Sequence, residues 1–146
     1  MGSVKSSFKF KDYTVDKISL EKNPQFTDEL QDEITEISEI MDFDCKINEI
    51  EAFKKDVTLS VNIGNTNKLP YKLYLELTGN FEYSLGEENL DPKDIEKLFR
   101  RNAVTILFPY VRALVSSYTS VSNVSPLMIP AINIIKLLEE KDKNKE

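Results

Sequence analysis

Tyr71-Lys72-Leu73-Tyr74-Leu75-Glu76-Leu77-Thr78-Gly79-Asn80-Phe81-Glu82-Tyr83-Ser84-Leu85, with the change of period that follows at Asp91-Pro92, decides the class of this fold. Tyr71, Leu73, Leu75, Leu77, Phe81, Tyr83 and Leu85 share one parity, and Lys72, Tyr74, Glu76, Thr78, Asn80 and Glu82 take the other. A strand places alternate side chains on opposite faces, so this pattern predicts a long strand with one face buried. Gly79 alone interrupts the apolar parity. It has two readings, a bulge or bend in the strand, or room for a neighbouring backbone.

Upstream, Val57, Leu59, Val61 and Ile63 alternate in the same way, and Gly64-Asn65-Thr66-Asn67 supplies turn residues. So short a connection predicts antiparallel pairing, because a parallel crossover needs a dozen or more residues. Met41, Phe43, Cys45 and Ile47 predict a further strand over about Ile40–Ile50. Phe26, Leu30, Ile34, Ile37 and Met41 have helical spacing, and the structure before residue 40 stays open at this level. Phe8 and Phe10, then Val15, Ile18 and Leu20, alternate in two pieces that change phase near Asp12-Tyr13. They predict a bent strand ending before Asn23-Pro24.

Downstream, Asp91 as N-cap and Pro92 at the first helical position form a helix start. Ile95, Leu98, Phe99, Leu107, Phe108, Val111, Leu114, Val115 and Tyr118 return at spacings of three and four, an apolar stripe along one or two helices. Pro109 cannot donate a backbone bond to residue 105, so it is expected to kink the helix or open a new one. After breaks at Ser120 to Pro126 and at Pro130, Ile132, Ile135 and Leu138 begin a last helix, and Glu139 to Glu146 lacks apolar residues and is expected to fray. Four strands before two helical segments predict an α+β fold, a four-stranded antiparallel sheet with two helices packed on one side. The second sheet surface is expected to be apolar and covered by oligomerisation. One domain over residues 1–146 is expected, with flexible ends at about 1–7 and 140–146.

Composition narrows the chemistry. The chain has 146 residues, a formal net charge of −6 and no histidine, which argues against broad nucleic-acid binding and removes the usual neutral-pH base. Ten acidic residues lie between Asp28 and Glu51, with Lys46 the sole base among them; the run is either a solvated face or a surface for a basic partner. Cys45 is the single cysteine, so no intrachain disulfide forms and a metal cluster is not expected. Its parity with Phe43 and Ile47 favours a small core residue over a nucleophile. Neither a phosphate-binding glycine loop nor a catalytic constellation is present, so no enzyme and no cofactor are expected. No apolar run reaches the ~20 residues that span a bilayer, and a cytoplasmic protein without membrane insertion is the expectation.

Asn102-Ala103-Val104-Thr105-Ile106-Leu107-Phe108-Pro109-Tyr110-Val111-Arg112 resembles the most characteristic segment of the SecB family of protein-export chaperones. Pro126-Leu127-Met128-Ile129-Pro130-Ala131-Ile132-Asn133 resembles that family's link into its last helix. Leu77-Thr78-Gly79-Asn80-Phe81 resembles the end of its fourth strand, and Val15-Asp16-Lys17-Ile18-Ser19-Leu20-Glu21-Lys22-Asn23-Pro24 its first strand and turn. The matches occur in the family's order. The resemblance implies a dimer of dimers and an ATP-independent holdase that binds unfolded or precursor polypeptides in apolar surface grooves. The candidate client-binding residues are Tyr74, Phe81, Tyr83, Val124, Leu127, Met128 and Ile129, each with core or subunit-interface packing as the alternative.

Two departures bear on partners. Asn123-Val124-Ser125-Pro126 replaces the family's Gly-Phe-Pro-like turn, and Ala131 replaces a common second proline. The acidic sheet surface that engages the export motor SecA is recognisable only at Asp16 and Glu21. A dedicated interaction protein, holding one partner such as an antitoxin, is therefore the second expectation.

Overall fold

The computed structural model describes residues 7–34, 36–84 and 91–144. Four strands, β1 (Ser7–Lys22), β2 (Met41–Glu51), β3 (Lys54–Ile63) and β4 (Tyr71–Ser84), form one antiparallel sheet in the order β1-β4-β3-β2. A short helix α1 (Asp28–Asp32) and a 3-10 turn (Ile37–Glu39) lie between β1 and β2. Helices α2 (Pro92–Val121) and α3 (Ile134–Asn144) follow the sheet. This is the α+β architecture expected from the pattern, with helices on one face. Leu85, counted above with β4, and residues 1–6 and 145–146 of the expected flexible ends lie outside the described residues.

β1 shows how a phase change in sequence becomes geometry. Its register against β4 shifts between Phe10 and Asp12 and again between Val15 and Lys17. Each extra residue restores the pleat. Phe8, Phe10, Tyr13, Val15, Ile18 and Leu20 thus stand opposite Tyr83, Phe81, Gly79, Leu77, Leu75 and Leu73, all on the helix side.

The core is the layer between that face and α2. Val57, Leu59, Val61 and Ile63 of β3 and Leu73, Leu75 and Leu77 of β4 are buried beneath Phe99, Ala103, Val104, Leu107, Val111 and Val115. The helix begins as expected, with the Asp91 carboxylate accepting from the Lys93 amide at 3.0 Å. Pro109 neither ends α2 nor starts a new helix; it lies inside one 30-residue helix. Both Pro109 and Thr105 are exposed, so the carbonyl that loses its partner meets water.

Three further expectations are corrected. Gly79 marks no register shift within β4, and it makes room for side chains, not for a backbone. A Cβ there would stand 2.7 Å from both Leu107 Cδ2 and the Phe81 ring. The second face of the sheet is polar, not apolar. Thr58 and Thr78 bond across it at 2.8 Å, Asn80 donates to Asp56 at 2.9 Å, and the Tyr74 hydroxyl donates to Glu76 at 3.0 Å. Alternation with polar residues leaves nothing there that water must not touch, so the cover expected from an oligomer is not needed on that face. Lastly, the segment from Glu139 to Asn144, expected to fray, is helical and carries ion pairs to α2 and β2.

Candidate functional site

The site is built by two segments that the sheet brings together from opposite ends of the chain. The first is the crossing from β1 to β2. The buried Asn23 anchors its start: its amide donates to Pro70 O at 2.9 Å, and its side chain donates to Asn67 Oδ1 at 3.0 Å and Leu69 O at 3.2 Å. The other end is held to the same β3–β4 turn. Thr66 donates to Glu39 O at 2.8 Å, Lys68 pairs with the Glu39 carboxylate at 2.6 Å, and Gly64 N donates to Ile40 O at 2.8 Å. The 3-10 turn is thereby fixed at the sheet's β2 end.

The second segment is the link after α2. Buried Thr119 donates to Val115 O at 2.8 Å and accepts from the Leu127 amide at 2.9 Å. Arg112 Nε donates to Ile129 O at 2.9 Å, and the Ser116 hydroxyl donates to Met128 Sδ at 3.3 Å. Two backbone points of the link are thus pinned to α2. Asn133 then caps α3, its Oδ1 accepting from the Lys136 amide at 3.0 Å.

Between the 3-10 turn and α3 lies an open cleft of about 340 Å³, lined by Glu36, Ile37, Ser38, Ile132, Asn133, Lys136, Leu137 and Glu140. Its walls are apolar at Ile37, Ile132 and Leu137, and acidic groups outnumber basic ones at its rim. Such a lining suits apolar contact framed by charge, with no convergent catalytic groups. Among the described residues no cluster of histidine, cysteine, aspartate or glutamate is arranged to hold a metal ion. Cys45 is half-buried, and burial pushes its thiol above the usual value, with the nearby Arg100 opposing.

The residues singled out from sequence fall in three places. Val124 and Leu127 are half-buried on the link, Met128 is 71% exposed there, and Ile129 turns inward at 2%. Phe81 is 1% exposed, inside a ring cluster with Phe8 at 5.0 Å, Phe10 at 5.3 Å and Phe99 at 6.0 Å. Tyr83 is half-buried between Phe53 and Phe99 at 5.5 and 5.4 Å, with the Lys55 ammonium 5.2 Å from its ring. Tyr74 is on the polar face with Lys17 over its ring at 5.7 Å, and burial followed by the Glu76 bond raises its phenol. Asp16, accepting from Thr78, and Glu21, paired in register with Lys72, share that face. The structure therefore separates Tyr74 from the apolar candidates and groups it with the two acids.

Ile37, Ile132 and Leu137 were not among the sequence candidates. The helical spacing of Ile34 and Ile37 was the available signal, but nothing local said that they face the last helix.

Comparison with known proteins decides the family. The profile described as preprotein translocase subunit SecB matches residues 3–145. The chain belongs to the SecB family. Within the SecB family it is divergent. It is 31% identical to an uncharacterized protein of Methanocaldococcus jannaschii over 97% of this chain and 89% of that one. It is also 31% identical to the protein-export protein SecB of Anaplasma phagocytophilum, over 59% of this chain and 55% of that protein. The chain thus matches about half the length of that export protein. Among solved structures it is similar to the SecB-like chaperone of Mycobacterium tuberculosis, solved with a peptide from an antitoxin. The TM-score is 0.61, the identity 15%, and the coverage 86% of this chain and 88% of that one. A Streptococcus agalactiae protein of unknown function is similar with a TM-score of 0.53, at 10% identity over 87% and 99% of the two chains. At these identities the two likenesses concern the fold alone, and the first is to a SecB-like one.

Proposed function

We propose that this SecB-family chain is an ATP-independent holdase that captures unfolded or precursor polypeptides in the cleft between the crossing segment and α3, and along the link. The observation that carries this reading is the apolar lining of Ile37, Ile132 and Leu137 opening to water, continued by the exposed Met128. Apolar contact of this kind is non-directional, so it accepts many sequences, at about 25 cal/mol per Å² buried. The acidic rim, with Glu36 and Glu140, favours clients that carry basic side chains. Val124 and Leu127 extend the contact surface along the link and Ile129 supports it from within, whereas Phe81 and Tyr83 sit at the opposite end of the sheet, near Phe53 and Phe99. The test is suppression of aggregation of an unfolding protein without ATP; no suppression at several-fold molar excess would refute the reading.

A self-associated form fits the same reading. From Asn102 to Val121 the one charged residue is Arg112, whose guanidinium is engaged by the link. The outward Asn102, Thr105, Pro109, Tyr110, Ala113 and Ser117 form an uncharged strip suited to a second copy, and a dimer or dimer of dimers is expected in light scattering. A persistent monomer at micromolar concentration would contradict it.

A second reading is favoured by the altered link and by the antitoxin peptide held by the M. tuberculosis relative: a chaperone dedicated to one partner. Co-purification with peptide mapping separates the two, since many unrelated bound segments would sink the dedicated model. A role in export and a cytoplasmic location are part of the first reading. SecA engagement would use the polar face bearing Asp16 and Glu21. Among the described residues no helix is long and apolar enough to cross a membrane.

A further inference from the structure

We propose that the end of α3, residues 139–144, is an ionic strap that closes the free edge of β2, and that its release opens this edge to an extended, basic polypeptide. The second half rests on the holdase reading; the first does not.

β2 is the outermost strand on its side of the sheet. Gly64 N donates to Ile40 O, so Ile40 and Gly64 form a hydrogen-bonded pair. Pairs alternate along an antiparallel ladder, and Phe43 and Cys45, opposite Val61 and Leu59, therefore direct their backbone groups away from β3. Such an outward row is what an added strand uses. One of these groups is already occupied. Lys141 Nζ donates to Phe43 O at 2.9 Å and to Asp42 Oδ1 at 3.0 Å. The chain's own lysine thus sits where a basic side chain of a bound segment would find both a carboxylate and a free carbonyl.

What holds the strap is weak. The apolar anchors of α3, Ile134 and Leu138, end before it, and from Glu139 to Glu146 the sequence has no apolar residue. The remaining ties are Arg100–Asp142 at 2.6 Å and Arg101–Glu139 at 3.7 Å, both at least partly exposed. Exposed ion pairs contribute little and are screened by salt, so this end opens far more easily than the sheet.

Cys45 lies beside Arg100 in the guarded stretch and reports on opening without any client. Its alkylation rate should rise roughly threefold to tenfold from low to high salt. Lys141→Met should label faster than wild type at low salt and show a weaker salt dependence, since Arg100–Asp142 and Arg101–Glu139 remain, while amide exchange of Val57–Val61 in β3 stays as in wild type. A rate indifferent to both salt and Lys141→Met, or a parallel rise of β3 exchange, would overturn the strap. Capture is then measured at one low salt concentration with a fluorescent 20-residue peptide alternating lysine and leucine. Lys141→Met should bind it several-fold more tightly than Lys143→Met, which removes the same charge from an exposed position outside these contacts. Equal binding by the two variants would overturn the gating of the β2 edge even where the strap opens. Loss of aggregation suppression in every form, wild type included, would instead count against the holdase reading.

Discussion

Replacing Thr119 by valine tests whether the link is held by one buried hydroxyl. The substitution keeps the side-chain shape and removes only the oxygen. That oxygen accepts from the Leu127 amide at 2.9 Å and donates to Val115 O at 2.8 Å. The second loss costs little, because a helix carbonyl already accepts from the amide four residues on. The first leaves the part-buried Leu127 N–H without an acceptor, which costs about 1–3 kcal/mol. In a chain of 146 residues this lowers Tm by roughly 4–10 °C. If the link lifts instead, the amide reaches water and the cost becomes the lost packing of Leu127 and Ile129. Both responses lower the hydrogen-exchange protection of the Leu127 amide, by roughly tenfold for each 1.4 kcal/mol. Urea denaturation and amide exchange on Thr119→Val measure the two quantities, and Thr119→Ser should restore both. Wild-type protection at Leu127 together with an unchanged midpoint would refute the reasoning, and with it the view that α2 positions the link.

Other predictions follow from single contacts. Gly79→Ala brings a Cβ to 2.7 Å from Leu107 and Phe81 and should destabilise by about 1–3 kcal/mol in chemical denaturation. Gly64→Ala should cost more, since φ is +87° there and the new Cβ would stand 2.2 Å from the Tyr71 carbonyl oxygen. Ile37→Ser with Leu137→Gln should weaken binding of an unfolded client by roughly fivefold or more while leaving the fold intact, read by fluorescence titration and circular dichroism. Burial pushes Tyr71 up to about 12. The unfolded phenol ionises near pH 10, so above that pH the unfolded state loses its proton first and stability falls until the folded group also ionises. The loss is on the order of 2–3 kcal/mol between those limits, and tyrosinate absorbance should show Tyr71 as the last of the six tyrosines to ionise, behind the also raised Tyr74, or ionising only with unfolding.

Strand and helix identity was legible in the chain because both rest on local periods. Alternation at Val57–Ile63 and Tyr71–Phe81, and the stripe from Phe99 to Val115, state which side chain must leave water. The phase change near Asp12-Tyr13 likewise announced a bend, which the structure resolves into two register shifts, at Phe10/Asp12 and Val15/Lys17. The candidate site was less legible. Leu127 and Met128 were singled out from the link, where the structure leaves Met128 exposed, but a parity rule cannot distinguish a core position such as Phe81 from a groove position, because both are apolar.

Sequence by itself thus determined the four strands and the helical segments after them, their order, the family, and the absence of histidine chemistry. Only the tertiary structure decided the strand order β1-β4-β3-β2, which sets Tyr74 beside Asp16 and Glu21 on a polar face. Only it brought Ile37 to Leu137, and Lys141 to Phe43. Periodicity is a property of neighbouring residues. Meetings between segments a hundred residues apart depend on how α2 packs and on which backbone groups are left for Asn23, Thr119 and Arg112 to bond.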